Sequence, residues 1–326
     1  MIQSLNFPVS KYCIQPYGGW DELNQRIKAL GLDGVEAIWD PDDLDDTFLA
    51  TMLTGCHLIF YCDWVDFYRQ DQEKLLRKFG SAEMIRKVYG GTEPEDLMFT
   101  FREDLYRAIR YGADYMVFHV SDVSLEESYT YRWEHTDYEV LDAAIDVIND
   151  LLRGVEPTFD FLVENQWWPG FTFTEPEKTE YLLSHINYPR VGIMLDTGHL
   201  MNSNTSIRSQ AEGIKWIMGN IERHGALAKR IYGLHFHQSV SGAYVKTHTG
   251  SIPGEYNGDF FHDFGVNYPH IQSIDRHLPW TNPDCVKILD AVQPKYLTHE
   301  LSSRSYHSQL SALKRQLHTI RKGYAR

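Results

Sequence analysis

The sequence predicts a (β/α)8 TIM barrel with two long βα-loop insertions over its C-terminal face. Three observations carry that reading. Eight strand-like runs alternate with helix-like segments along the chain, the order that stacks strands into a parallel sheet covered by helices. Several runs are almost continuously apolar, as strands buried on both faces must be. No Gly-rich phosphate-binding turn follows the first strand, which argues against an open doubly wound sheet. The chain has 326 residues. A typical barrel needs about 250, so roughly 75 remain for insertions. At 43% hydrophobic, with no low-complexity tract or linker, residues 1–326 are expected to form one domain.

The elements follow in order. "SLNFP" (4–8) is the first strand, and "WDELNQRIKALG" the helix after it. "GVEAIW" (34–39) and "LTGCHL" (53–58) are the second and third strands. A long connection runs from Ile59 to about Met98 and contains the helical stretch "DQEKLLRKFGSAEMIRKVYGG". "REDLYRAIRYG" leads to "YMVFHV" (115–120), and "YEVLDAAIDVINDLLRG" to "FDFLVEN" (159–165). "VGIMLD" (191–196), "IRSQAEGIKWIMGNIERHG" and "IYGLHFH" (231–237) come next. A second long connection, Ser239 to about Asn282, precedes "KYLTHEL" (295–301). Glycines close the quoted helices, a common stop signal. Leu310, Leu313, Leu317 and Ile320 recur at helical spacing, so the basic C-terminal tract reads as a helix with a solvated charged face.

Composition bounds the function. No run of about 18 apolar residues is present, so no membrane span is expected. The N-terminal stretch lacks a basic region followed by an apolar one, so it does not read as a secretory signal. The four cysteines (Cys13, Cys56, Cys62 and Cys285) form no CxxC pair, which suits reduced thiols in a cytoplasm. A formal net charge of -14 argues against a nucleic-acid partner, because phosphate binding relies on Lys and Arg. The acidic "WDPDDLDD" (39–46) follows the second strand and is therefore expected on the catalytic face.

Strand ends carry the chemistry. His57, His119, Glu164, Asp196 with His199, His235 with His237, and His299 with Glu300 all stand where an apolar run stops. The second long connection adds Asp275 and His277. Each residue alone has a bland reading: a hydrogen-bonded structural histidine, a loop-starting glutamate, or, for Asp196, a helix N-cap. Together they put imidazoles and carboxylates from six strands at one barrel mouth. Unpaired charges there would cost several kcal/mol each, and no matching strand-end Lys or Arg is present. A divalent cation supplies the missing charge. Nitrogen and oxygen donors suit zinc or manganese, as one ion or more. Asp196 and His199 share one turn, while Asp275 and His277, like His235 and His237, fall on one side of an extended segment.

"VEN", "LDTGH", "LHFH", "DRH" and "HEL" resemble the xylose-isomerase-like TIM-barrel superfamily, which includes sugar isomerases and epimerases and the endonuclease IV type of AP endonuclease. The epimerase branch, similar to D-tagatose 3-epimerase, implies one metal held by Glu164, Asp196, His235 (or His237) and Glu300. The two glutamates would act as acid and base, and His199 would touch substrate. The endonuclease IV branch implies three zinc ions on His57, His119, Glu164, Asp196, His199, His235, Asp275, His277 and Glu300, all present in the right order. The epimerases' Arg beyond the metal histidine falls on Ser241 or Ala243 here, and their further Glu on Gly170, so neither substrate-contacting role carries over. Aromatic residues crowd the expected mouth, among them Trp167 and Trp168, and fit a small carbohydrate-like ligand.

The leading expectation is a divalent-metal-dependent isomerase or epimerase of a small sugar derivative. Glu164 and Glu300 would move protons, and His199, Trp167, Trp168 and His237 would contact substrate. The alternative is a multi-zinc phosphoester hydrolase acting on a small substrate. A barrel with a merely structural metal should show gaps among the ligands, and none is seen. The sequence leaves homo-oligomerisation open.

Overall fold

A computed structural model describes residues 1–302 and 305–326. Eight parallel strands close into a barrel in sequence order: β1 (Ile2–Val9), β2 (Gly34–Trp39), β3 (Leu53–His57), β4 (Tyr115–His119), β5 (Asp160–Glu164), β6 (Val191–Asp196), β7 (Ile231–His235) and β8 (Tyr296–His299). Pairing of Ile2 with Tyr296 through Leu5 with His299 seals the barrel. Helices such as Trp20–Ala29, Asp137–Leu151 and Gln210–His224 pack outside it.

The expected strands are all present, and β3, β4, β5, β7 and β8 end one or two residues earlier than expected. β7 stops at His235 and β8 at His299, so His237 and Glu300 lie just past the ladder. The stretch expected as one helix in the first connection is two, Gln72–Phe79 and Ala82–Tyr89, separated by Gly80 and Ser81. Gly80 adopts a left-handed φ of 74° and Ser81 caps the next helix through its hydroxyl, a stop followed by a start. The following helix begins earlier than expected, at Pro94, with an acidic capping box at Glu93 and Asp96.

Three connections gather over the C-terminal mouth. Asp122, after β4, accepts the backbone N–H groups of Trp64 (2.8 Å) and Val65 (3.0 Å) and so holds the β3–β4 connection. Asn267, in the helix Phe260–Ile274 of the β7–β8 connection, donates to Ser128 at 2.6 Å, and His270 stacks on Tyr129. The β4–β5 connection is thus a third wall that the chain's spacing did not reveal. The acidic run follows β2 on this same face and packs beside the segment after β1: Asp43 accepts from Ser10 (2.6 Å) and the Tyr12 amide (2.8 Å), and Asp45 from Thr47. None of its aspartates lines the main cavity. The hydrogen bonds of Asp43 and Asp45 serve turn geometry beside β1, off the cavity.

Candidate metal centre

Each donor is placed by its strand. β3 ends in His57, whose Nδ1 lies 2.8 Å from the Leu58 carbonyl. A carbonyl only accepts, so Nδ1 carries the proton and the Nε2 lone pair points away. That Nε2 sits 3.1 Å from His119 Nε2 and 3.1 Å from Glu164 Oε2, and His119 Nε2 is 3.3 Å from the same oxygen.

The second group forms around the other face of Glu164. His235 Nε2 donates to Glu36, 3.0 Å from Oε1, which leaves Nδ1 as the lone-pair nitrogen. Nδ1 faces Glu300 Oε2 at 3.0 Å, Glu164 Oε1 at 3.3 Å and Asp196 Oδ2 at 3.8 Å. The third group lies toward the β7–β8 connection. Asp275 Oδ2 is 3.1 Å from His199 Nε2 and is bonded to His277 Nε2, and the His237 ring stacks on His277 with centroids 4.2 Å apart.

Within each of the three groups (His57, His119, Glu164; Glu164, Asp196, His235, Glu300; His199, His237, Asp275, His277) the donor atoms lie within 4.8 Å of one another. Glu164 belongs to two groups. All nine residues of the polynuclear set therefore come together, and His237 joins them. His235 rather than His237 takes the place beside Glu164. His237 is fully buried, lies 2.7 Å from Asp196 Oδ2 and does not line the cavity, whereas His199, Trp167 and Trp168 do.

The donor set fits cations. Glu164 Oε1, His235 Nδ1 and Glu300 Oε2 are buried with no hydrogen-bond partner, although they crowd one another. Such facing acceptors are costly unless a proton or a cation lies between them, and a divalent ion would resolve the cost by accepting from all of them. The charge balance points the same way. Burial opposes it, yet Glu36, Glu164 and Glu300 raise His235 well above the ordinary imidazole range, and Asp196 and Asp275 do the same to His199. Against burial, His235 and His119 hold Glu164 well below the usual carboxylate range. The carboxylates thus demand positive charge from their surroundings.

Local chemistry explains the "LDTGH" turn. Asp196 is both a donor and the N-cap of the helix Thr197–Asn202, accepting the His199 amide at 2.6 Å. The capping reading is borne out by Oδ1, while Oδ2 faces His235 at 3.8 Å and is the oxygen that would act as a ligand. Thr197 Oγ1 donates to the His237 carbonyl at 2.6 Å and accepts its amide at 3.2 Å. A Cβ on Gly198 would meet the His237 ring at 2.1 Å, so only glycine lets the two segments approach. Asp275 and His277 do share one group, but through a left-handed His277 (φ 43°) and not the extended backbone expected. Arg276 bonds the Val240 carbonyl and forms no pair with Asp275, whose charge is taken up by the imidazoles.

Glu36 and Asn165 are the residues that sequence reasoning missed. Fully buried on β2, Glu36 accepts from Asn6 Nδ2 (2.8 Å), Tyr115 Oη (2.8 Å), Thr298 Oγ1 (3.1 Å) and His235. Such a carboxylate fixes the tautomer and the tilt of a ligating imidazole. Its signal was present: one carboxylate inside an otherwise apolar six-residue strand. Asn165 clamps β5 to β6, donating to the Asp196 carbonyl and accepting its amide.

Above the donors opens a cavity of about 710 Å3. His57, His119, His199, Asp275, His277 and Glu300 line one part of it, and aromatic side chains from the β3–β4, β5–β6 and β7–β8 connections line much of the rest, together with polar groups such as Asp63, Gln166, Asn267 and Gln272.

A closed eight-stranded parallel barrel with this strand-end chemistry agrees with the comparison to known families, in which the xylose isomerase-like TIM barrel profile matches residues 25–316. The chain belongs to that family. The structural relatives include an endonuclease IV and a sugar epimerase. Endonuclease IV from Thermus thermophilus superposes with a TM-score of 0.56 at 13% identity, over 99% of this chain and 100% of that one. D-allulose 3-epimerase from Methylomonas sp., solved in complex with D-allulose, gives 0.54 at 11% identity, over 99% and 97%. A family member from Mycobacterium smegmatis, solved in complex with magnesium, gives 0.51 at 13% identity, over 99% and 97%. Comparison with curated proteins finds no match. At these identities the likeness speaks for the fold alone, and function must be argued from the site.

Proposed function

We propose that this protein is a polynuclear, divalent-metal-dependent hydrolase of a small anionic ester, most simply a phosphoester. The observation that carries this reading is the position of Glu164. It is fully buried, each oxygen is flanked by imidazoles, and it is absent from the cavity wall. A general base must reach the proton it abstracts, whereas a carboxylate shared between two donor groups suits a bridge. The residues that would hold the ions are the three groups around it, with Glu36 orienting His235. Bound divalent ions supply Lewis acidity toward a phosphoryl or carbonyl oxygen and lower the pKa of water. Glu36, Glu164, Asp196, Asp275 and Glu300 would bring five negative charges, so three divalent ions would leave the centre net positive, which suits an anionic substrate.

In the net reaction the water oxygen bonds to phosphorus, the bond to the leaving oxygen breaks, and the water's proton passes to that oxygen. The chain's own part is to hold the donors rigidly, to exclude bulk water with its aromatic walls, and to keep Glu300, which does line the cavity, beside the reacting atoms. The free cysteines suit a reducing, cytoplasmic setting. The test is turnover of p-nitrophenyl phosphate and bis(p-nitrophenyl) phosphate by protein loaded with zinc or manganese. Hydrolysis that a chelator abolishes is expected, and its absence with every ion and both substrates would contradict the reading.

The second reading, a sugar isomerase or epimerase, is favoured by the group Glu164, Asp196, His235 and Glu300, which is complete as a single-metal site. It predicts solvent deuterium in a ketose or aldose product.

A further inference from the structure

The metal centre fills only one side of its cavity, and the other side is mainly apolar, with Asp63, Gln166, Asn267 and Gln272 among its polar groups. Phe60 and Tyr61 come from the β3–β4 connection, Trp167 and Trp168 from the segment after β5, and Phe260 and Phe264 from the β7–β8 connection. No Lys or Arg lines the cavity among the described residues. The rim is open: Phe60 is 46% exposed, Phe264 42% and Tyr268 52%. Among them, Trp168 is buried and its indole N–H has no hydrogen-bond partner.

We infer that the substrate is amphiphilic, with a flat apolar group of at least aromatic-ring size seated in this aromatic chamber while its anionic end meets the donors. The anionic end rests on the hydrolase reading above, and the apolar group rests on the chamber itself. A nucleic-acid strand would bring further phosphates against a wall that offers no cation. A bare sugar would leave the aromatic walls largely unmatched, because a cavity of about 710 Å3 is in the range that encloses drug-sized ligands. Planar apolar groups stack on such walls, and aromatic pairs gain beyond their buried area. The Trp168 N–H offers one donor to an oxygen on the ligand's edge.

The experiment uses the full chain after dialysis against chelator, with 2-naphthol as the apolar probe and glucose as the polar one, read by tryptophan fluorescence and calorimetry. Naphthol is expected to bind at least ten-fold more tightly than glucose. Phe264→Ala should weaken it about five-fold, while Phe261→Ala, on the same helix but off the cavity wall, should leave it unchanged. Equal or weaker binding of naphthol, or equal effects of the two variants, would overturn the inference. It would also fall if Phe264→Ala altered the oligomeric state and not naphthol binding, because the rim would then be a surface between copies of the chain. Reloaded with metal, the enzyme should hydrolyse 1-naphthyl phosphate at least ten-fold more efficiently than glycerol phosphate. Naphthol binding without any phosphoester hydrolysis supports the chamber and counts against the hydrolase reading alone.

Discussion

At the N-terminal end of the barrel Asp160 is only 2% exposed, and each of its oxygens is paired: Arg190 donates at 2.9 Å, Lys295 at 2.9 Å and Tyr296 at 2.8 Å. The layer above it, Tyr115, Val117, Leu162 and Met194, fills the barrel interior, and a Cβ on Gly55 would strike the Tyr115 ring at 2.2 Å. At the C-terminal end of the same strands, Glu164, His235 and Glu300 keep buried acceptors without partners. One end is satisfied by the chain alone and serves stability. The other end leaves polar groups facing one another, at the face where this architecture usually places its binding sites.

Substitutions at the two ends should therefore fail in different ways. The largest expected effect is Glu164→Ala, which should lower turnover by about 10³-fold or more, on the scale of losing metal-assisted chemistry. The same change should remove most of the stabilisation that added divalent ions give the wild type, because Glu164 belongs to two of the three donor groups. Thermal melts with and without ions check this, and equal ion-dependent stabilisation of both proteins would erase the contrast. Glu36→Gln comes next: about 10- to 100-fold weaker metal binding, with the fold kept, measured by competition with a chelating dye. Asp160→Ala should do the reverse, costing about 3 kcal/mol of stability by stripping partners from a buried network while kcat per folded molecule stays unchanged.

A smaller effect lies in the wall. His135 is held between Asp122 (2.8 Å) and Asp66 (3.0 Å), and although burial opposes it, those carboxylates raise it from the usual 6.5 to about 9. A pKa raised on folding adds stability that is complete below the unfolded value and is lost as pH rises through the folded one. The melting temperature should therefore fall between about pH 7 and pH 9, and His135→Gln should flatten that slope. A wild-type profile as flat as the variant's would show that the pair of carboxylates does not hold the imidazolium.

The strand order, the mouth and its donors were legible because apolar runs ending in charge are rare unless something pairs with the charge. Asp196 could be read twice, as cap and as ligand, because a carboxylate has two oxygens. What escaped were features that exist only after closure. Glu36 sits inside an apolar strand, and its inward direction is fixed by Asn6, Tyr115, Thr298 and His235, which come from four other strands. His299 and Glu300 are neighbours, yet His299 bonds Gln316 on the outer helix while Glu300 faces His235. The wall after β4 escaped because it is held by single residues, Asp122 and Ser128, with no periodic signal.

The central claim, a polynuclear centre joined at Glu164, is tested most directly by counting metal in protein purified without added ions. The account predicts two or three divalent ions per wild-type chain, and at most one in Glu164→Ala, with the group of His199, His237, Asp275 and His277 still loaded. A single ion in the wild type, lost entirely in Glu164→Ala, would contradict it.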